Sequence, residues 1–480
     1  MEIIPKLDDR LKDSLYIQLY RYFKHEIEQF TFKTGMRLPS IRYLADRLNV
    51  SNTTVQMAYQ QLLAEGYIES RARSGYFIAE LDSDFIESTV TPCTKLSSED
   101  SSEQKEKHIL YDFFMSDIDT DHFPLASWRK YANKLLNSEH KDVLKYGEYQ
   151  GELGLRKALS DYLHRSRGVH CTPEQVVIAS GTQSILHILY QLIQWKNKRL
   201  AMEDPGYQGV RRSLQGQDIK LVPIPVEKDG LSIHELKKVQ ADAVYITPSH
   251  QYPLGMVMPI AKRIQLLAWA NEQDSWIIED DYDGEFRYRG KPIPSLQGID
   301  EHSRVIYIGT FSKSLMPAIR VSYMVLPPAL LETYKHLEWG QTASRLHQQT
   351  LTLFIENGEW EQHIRKMRTL YKKKQAVLLE TIKTVIGEHV HVSGQNAGLH
   401  IVLHVKSNCP ADTLIACAEK AGIKVYGTSS YLNQNKTACS LPILIGFGGL
   451  SLDDIKQGIK LLHKAWLPYY KSFEHRSVTP

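Results

Sequence analysis

A polar, low-complexity stretch divides this chain before any folding pattern is considered. Residues 81–107 are rich in Ser, Thr, Glu, Asp and Lys, and Ser97-Ser98-Glu99-Asp100-Ser101-Ser102-Glu103 is the least apolar run. So little apolar surface cannot offset the entropy of ordering the backbone, so residues 81–109 are expected to be a mobile tether. It separates residues 1–80 from residues 110–480. At 480 residues the chain is in any case too long for one ordinary core, and two or three domains are expected. A formal net charge of +3 argues against a chain coated in nucleic acid, while leaving room for a local basic patch.

The remaining global features exclude several classes. Five cysteines (Cys93, Cys171, Cys409, Cys417, Cys439) without CxxC spacing fit a reduced, cytoplasmic setting and no structural metal. The start, Met1-Glu2-Ile3-Ile4-Pro5-Lys6, lacks the basic and apolar regions of a signal peptide. The longest apolar patch, Ile185-Leu186-His187-Ile188-Leu189-Tyr190, is too short to span a membrane, and no membrane partner is expected.

In residues 1–80, Tyr16, Leu19, Tyr20, Phe23 and Ile27 recur at helical spacing and predict an amphipathic helix over 14–30. Pro39-Ser40 opens a short helix with Ile41, Leu44, Ala45 and Leu48 on one face. Ser51 caps a third, expected to bury Val55, Tyr59, Leu62 and Leu63 and to turn Asn52, Thr53, Gln56 and Gln60 outward. Glu65-Gly66 stops that helix, and a small hairpin follows around Arg71-Ala72-Arg73. This order is that of a winged helix-turn-helix, although a small helical adaptor with a polar outer face would show the same pattern. Short polar side chains at the start of the third helix suit base edges in a major groove, and peripheral Ser, Thr and Arg suit phosphates.

The wording goes further than the pattern. Arg37-Leu38-Pro39-Ser40-Ile41-Arg42-Tyr43-Leu44-Ala45, then Val50-Ser51-Asn52-Thr53-Thr54-Val55 and Ala58-Tyr59-Gln60-Gln61-Leu62-Leu63-Ala64-Glu65-Gly66-Tyr67-Ile68, closely resembles the GntR-type bacterial regulators over about residues 14–80. The resemblance implies that Arg37, Ser40, Arg42, Ser51, Asn52, Thr53 and Gln56 lie toward double-stranded operator DNA. Arg71 and Arg73 would belong to the wing, and binding would be strongly salt-dependent.

Beyond the tether, strands and helices alternate, which predicts an α/β domain with a mostly parallel sheet. Val176-Val177-Ile178-Ala179 is a strand, followed by Ser180-Gly181-Thr182-Gln183 and a helix from Ser184. Small residues there let backbone N–H groups meet a phosphate. A second strand, Ala243-Val244-Tyr245-Ile246, runs into the turn-rich loop Thr247-Pro248-Ser249-His250-Gln251-Tyr252-Pro253-Leu254-Gly255. A third, Trp276-Ile277-Ile278, ends in Glu279-Asp280-Asp281-Tyr282-Asp283-Gly284-Glu285. Acids at the end of a buried strand are costly unless one meets a cation. Asp280 is the one read as facing a pyridine nitrogen; Asp281, Asp283 and Glu285 are read as a solvated turn. Last, the apolar run 304–308 leads into Gly309-Thr310-Phe311-Ser312-Lys313, with Arg320 close behind. A lysine flanked by hydroxyls and a guanidinium could hold a phosphorylated aldehyde as a Schiff base, where a lone Ser-Lys-Ser would otherwise read as polar surface.

In this order the pieces resemble the fold-type I aminotransferases that use pyridoxal 5′-phosphate (PLP). From about residue 14 to 466, with the tether unmatched, the chain resembles the MocR-type regulators, GntR winged helices fused to such a domain. The implied fold is a large α/β domain with a mostly parallel sheet, a smaller C-terminal domain, and the N-terminal winged helix-turn-helix. The resemblance implies Lys313 as the PLP Schiff-base lysine, and Gly181, Thr182 and Gln183 as the phosphate-cradling turn. It implies Tyr207 over the ring, Asp280 on the pyridinium, Tyr282 near the ring hydroxyl, and Thr310, Ser312 and Arg320 on the phosphate. Tyr146, with Gly151-Glu152-Leu153-Gly154-Leu155-Arg156, would reach the partner subunit's phosphate site in a homodimer.

Two departures stand out. Tyr252-Pro253-Leu254-Gly255 replaces the usual Asn-Pro-x-Gly, leaving His250 or Gln251 to substitute near the ring hydroxyl. The late strand, Pro442-Ile443-Leu444-Ile445-Gly446, has no carboxylate-binding arginine, with Arg211, Arg212 or Arg345 as remote candidates. The expected function is a DNA-binding regulator that senses an amine or amino-acid effector by aldimine exchange at Lys313. A PLP-dependent transaminase with an attached DNA-binding domain, or a sensor of PLP itself controlling vitamin B6 metabolism, are the alternatives. His250, His347, His363, His389 and His391 lack metal-ligand spacing, and Tyr371-Lys372-Lys373-Lys374 reads as a solvated basic face.

Overall fold

The computed structural model describes residue 7 and residues 13–72, 74–80, 109–288, 293–338, 340, 342–432 and 442–471. Arg73 and residues 81–108 of the expected tether lie outside them. The chain divides into two compact units, Met1–Lys105 and Glu106–Pro480.

The first unit contains helices α1 (Leu15–Glu28), α2 (Ile41–Leu48) and α3 (Asn52–Ala64), then strands β1 (Ile68–Arg71) and β2 (Gly75–Ile78). Ser40 and Ser51 cap α2 and α3, their hydroxyls accepting from the N–H groups of Tyr43 and Thr54. Between them Asn49 takes the left-handed conformation, with φ of 54°, and turns the chain. Leu19, Phe23, Ile27, Leu44, Val55, Tyr59 and Leu62 meet in one core. Leu63, expected inside, is exposed, and Ala58 is buried in its place. Counting from Val55, positions 58, 59 and 62 share its face, whereas 63 falls on the rim.

In the second unit the strands are β3 (Tyr111–Asp112), β4 (Val176–Ala179), β5 (Lys198–Asp204), β6 (Ile219–Glu227), β7 (Gly230–Leu231), β8 (Ala243–Ile246), β9 (Trp276–Asp281), β10 (Val305–Thr310) and β11 (Ser322–Val325). Then come β12 (Val390–Ser393), β13 (His400–Val405), β14 (Ile423–Lys424), β15 (Tyr426–Gly427) and β16 (Ile443–Gly446). The main sheet has the order β4-β11-β10-β9-β8-β5-β6-β7. The run from β10 through β9, β8 and β5 to β6 is parallel, while β11 is antiparallel to both its neighbours. A second, antiparallel sheet, β12-β13-β16-β15, carries the C-terminal part, and β3 pairs in parallel with β14.

Alternation along the strands builds both faces of the main sheet. Val177 and Ala179 pack against Ile185 and Leu189 of the helix Thr182–Leu192, while Val176 and Ile178 pack on the opposite side with Leu159 and Phe354. That helix starts at Thr182, two residues earlier than expected, because Gly181 serves as its cap residue. Strand β9 likewise runs on through Glu279, Asp280 and Asp281, which stay in register with Tyr307, Ile308 and Gly309 of β10.

Two charge assignments are corrected. Asp281 and Asp283 are buried, not solvated: Asp281 pairs with Arg167 at 2.6 Å and accepts from Tyr307, and Asp283 lies 2.8 Å from His250 Nδ1. In the basic run, Lys372 and Lys373 are exposed, but Tyr371 and Lys374 are buried on the long helix Glu359–Thr381. Lys374 Nζ donates to Asp119 at 2.7 Å and to the Gly448 carbonyl at 2.8 Å, and the Tyr371 hydroxyl accepts from the Asp119 N–H. A helix of this length turns one side inward regardless of its charge, and the lysine there found a carboxylate.

Candidate functional site

The carboxyl ends of the parallel strands converge on a cavity of about 330 Å³, the usual place for a ligand in an open α/β sheet. Gly181, Thr182 and Gln183 follow β4, Tyr207 follows β5, Thr247 and Tyr252 follow β8, Asp280 and Tyr282 come from the end of β9, and Thr310, Ser312, Lys313 and Arg320 from the end of β10 and beyond. Of the single residues that the resemblance implies for PLP, Tyr146 alone is outside it, with 95% of its surface exposed.

The period of a strand explains why Asp280, among three consecutive acids, faces the cavity. Glu279 and Asp281 point to the other side, where Glu279 accepts from the N–H groups of Leu296 and Gln297. Asp280 shares the face of Ile278 and accepts from the Tyr245 hydroxyl through Oδ2. Its Oδ1 is buried without a hydrogen-bond partner. Burial above all, reinforced by Asp281 and Asp283 and opposed by Tyr245, pushes the Asp280 carboxyl up to about 7. A buried carboxylate oxygen lacking a donor fits the protonated nitrogen of a pyridine ring.

Lys313 is half-buried, and its Nζ donates to the Met115 carbonyl at 2.6 Å. Burial lowers its pKa to about 8, against the pull of Asp283 and Asp117, so an appreciable neutral fraction is available near neutrality for attack on a carbonyl. Beside it, Ser322 Oγ donates to Thr310 Oγ1 at 2.9 Å, and Thr310 Oγ1 lies 3.0 Å from Ser312 Oγ. Arg320 is exposed toward the cavity and donates to the Ser180 carbonyl at 3.0 Å. Gly181 has φ of 110°, and a Cβ there would come within 2.3 Å of Arg320 Nη2, so the turn requires glycine. No side chain caps the helix that Gly181 opens, which leaves its first turn to face an anion. Hydroxyls, guanidinium and helix end together fit a phosphate.

Several contributors carried no signal in the sequence. Ser116, Thr247, Pro317 and Ser322 also line the cavity, and so does Tyr252, the residue in place of the usual asparagine. His250 stands behind Tyr282, whose hydroxyl lies 3.0 Å from its Nδ1, and Gln251 donates to the carbonyls of Pro205 and Tyr252. The loop thus lines the cavity with Thr247 and Tyr252, not with either substitute. Arg211 donates to Asp204 at 3.1 Å, Arg212 to Gln208 at 3.0 Å, and Arg345 lies 3.2 Å from Glu152; none lines the cavity.

In the first unit Arg37, Ser40, Arg42, Ser51, Asn52, Thr53, Gln56 and Arg71 are all exposed. Arg71 lies over the Phe77 ring at 4.4 Å, and Arg37 bridges to Phe77 with its side chain beside Gly75, so two guanidinium groups flank the hairpin. Among the described residues no group of His, Cys, Asp and Glu has the geometry of a metal site, and no helix is long and apolar enough to cross a membrane.

Residues 15–78 match the family of bacterial regulatory proteins of the gntR type, and residues 113–434 match aminotransferase class I and II. The chain is 46% identical to the HTH-type transcriptional regulator YdeL of Bacillus subtilis over 97% of this chain and 100% of that protein. It is 33% identical to the probable rhizopine catabolism regulatory protein MocR of Rhizobium meliloti over 94% of each. Among solved structures, kynurenine aminotransferase of Pyrococcus horikoshii superposes with a TM-score of 0.67 at 23% identity, covering 76% of this chain and 92% of that one. The chain therefore belongs to the MocR-type transcriptional regulators, in which a GntR-type helix-turn-helix is joined to a fold-type I aminotransferase domain.

Proposed function

We propose that this regulator holds PLP in the cavity of its second unit and senses an amine there. The observation that carries the reading is the meeting of Asp280, Lys313 and the hydroxyl–guanidinium cluster in one cavity of a chain that also presents a DNA-reading unit. When bound, PLP supplies an aldehyde that condenses reversibly with a primary amine. Lys313 would be the amine that holds the cofactor, and an effector amine would compete with it. Asp280 would keep the ring nitrogen protonated, Tyr207 and Tyr282 would flank the ring, and Thr310, Ser312, Arg320 and the Gly181 turn would hold the phosphate.

The same geometry supports a relay. Met115, whose carbonyl accepts from Lys313, follows β3, the first strand of the second unit. A change at the lysine would act on the main chain at Met115, early in the second unit. For the effector to shift the DNA-binding units it must favour one arrangement by about 1–3 kcal/mol. A homodimer would place two winged units on two half-sites and bring the partner's Tyr146 toward the phosphate.

The test is Lys313→Ala in the full chain. The wild type with PLP should absorb in the visible range and shift when an amine is added; the variant should show only free PLP. Visible absorbance retained by the variant overturns the assignment. Many rapid turnovers with an amino donor and a keto-acid acceptor would instead mark a transaminase. The relative PdxR of Corynebacterium glutamicum, named for pyridoxine biosynthesis and 28% identical, gives a specific reason to measure operator binding with PLP alone as well.

A further inference from the structure

The cavity wall beside Lys313 points to what the sensed amine carries, an inference that rests on the function proposed above. Leu444 of β16, Val402 of β13 and Met115 form a buried apolar cluster, with Tyr252, Tyr426 and Tyr431 packed against it. The cluster reaches the cavity at two places. Tyr252 lines the cavity while packing on the cluster, and the main chain of Met115 accepts from the Lys313 amine.

Aromatic rings continue this wall. Tyr252 stands edge-to-face to Tyr207, Tyr282 and Tyr431, with centroid separations of 5.7, 5.6 and 5.4 Å. Its hydroxyl donates to that of Tyr431 at 3.3 Å, so its polar tip has a partner within the protein. A substituent next to the reacting nitrogen therefore meets the Tyr252 ring, with the buried aliphatic cluster packed behind it.

Charge acts in the same direction. The charged side chains among the described residues lining the cavity are Asp280, Lys313 and Arg320. Arg320 sits with the phosphate-binding hydroxyls and the Gly181 turn. The carboxylates acting on the Lys313 amine are Asp283 and Asp117. A carboxylate on the carbon that bears the incoming nitrogen would lose its water against the Tyr252 ring and be repelled by these two acids. An apolar or aromatic group would instead be buried on the same surface.

We propose that the effector is a primary amine with an apolar or aromatic substituent and no carboxylate beside the nitrogen, recognised by the Tyr252 ring, which Tyr431, Met115 and Leu444 back from behind. The test titrates the PLP-loaded full chain with phenethylamine and with phenylalanine. Visible absorbance is followed, and concentrations are expressed as the unprotonated amine. Phenethylamine should half-saturate the protein at a tenfold lower concentration or less. Tyr431→Ala, which removes the ring and hydroxyl that hold Tyr252, should reduce the preference for phenethylamine over methylamine at least fivefold. Phenylalanine binding as tightly as phenethylamine overturns this inference alone, as does an unchanged preference in the variant. A wild type without PLP-dependent visible absorbance overturns the PLP assignment and this inference with it.

Discussion

Replacing Asp280 with asparagine should stabilise the PLP-free protein while weakening its hold on PLP. The fold raises this carboxyl from 3.8 to about 7, chiefly by burying it. The folded state therefore binds the proton more tightly than the unfolded chain does. Its stability is full below pH 3.8, falls as pH rises toward 7, and is flat above. At about 1.4 kcal/mol per pH unit, a shift of about three units makes the ionised carboxylate cost about 4 kcal/mol at pH 8. Asparagine can still accept from the Tyr245 hydroxyl but carries no charge, so its stability lacks this slope. Urea unfolding of the PLP-free full chain, followed by tryptophan fluorescence, should find Asp280→Asn more stable than wild type at pH 8. The advantage should shrink by about 2–3 kcal/mol on going to pH 5, where much of the wild-type carboxyl is protonated. PLP should reverse the ranking, because the ring cation offsets the buried charge in the wild type alone. A variant no more stable at pH 8, or an advantage independent of pH, would refute the reasoning.

Other perturbations test separate parts of the account. Gly181→Ala places a methyl 2.3 Å from Arg320 Nη2 at a φ of 110°, and should cost about 1–3 kcal/mol of stability and weaken PLP binding, read by melting and by PLP titration. Lys374→Met leaves Asp119 buried without its cation and should cost about 3–5 kcal/mol, whereas Lys372→Met should change stability by less than about 0.5 kcal/mol. Because Lys374 and His122 hold the Asp119 carboxyl below its ordinary range against the opposing effect of burial, that pair's contribution should fade as pH falls below about 4. Arg71→Ala should weaken operator binding across sequences and lower the slope of log affinity against log salt by about one, measured by fluorescence anisotropy.

The legible parts of the site are those in which a residue's chemistry coincides with its place at a strand end. Lys313, Asp280 and Gly181 each stand at or just past an apolar run, and strand alternation turns Asp280 inward while its neighbours turn away. Caps were equally readable, since Ser40 and Ser51 act within three residues of themselves. What escaped depends on distant partners. Lys374 looked solvated because its carboxylate, Asp119, lies 255 residues earlier, and Asp281 looked solvated because Arg167 lies 114 residues earlier. Ser116, Thr247 and Ser322 are single hydroxyls with no local pattern, brought to the cavity only by the packing of separate strands. Leu63 failed for a smaller reason, one helical step past the buried face.

The central claim is that chemistry at Lys313 governs DNA binding. The most direct measurement is the affinity of the PLP-loaded full chain for its operator, with and without a saturating primary amine, in the wild type and in Lys313→Ala. Coupling of about 1–3 kcal/mol predicts a five- to 150-fold change in the wild type and none in the variant. An unchanged wild-type affinity, or an equal change in both proteins, would contradict the claim.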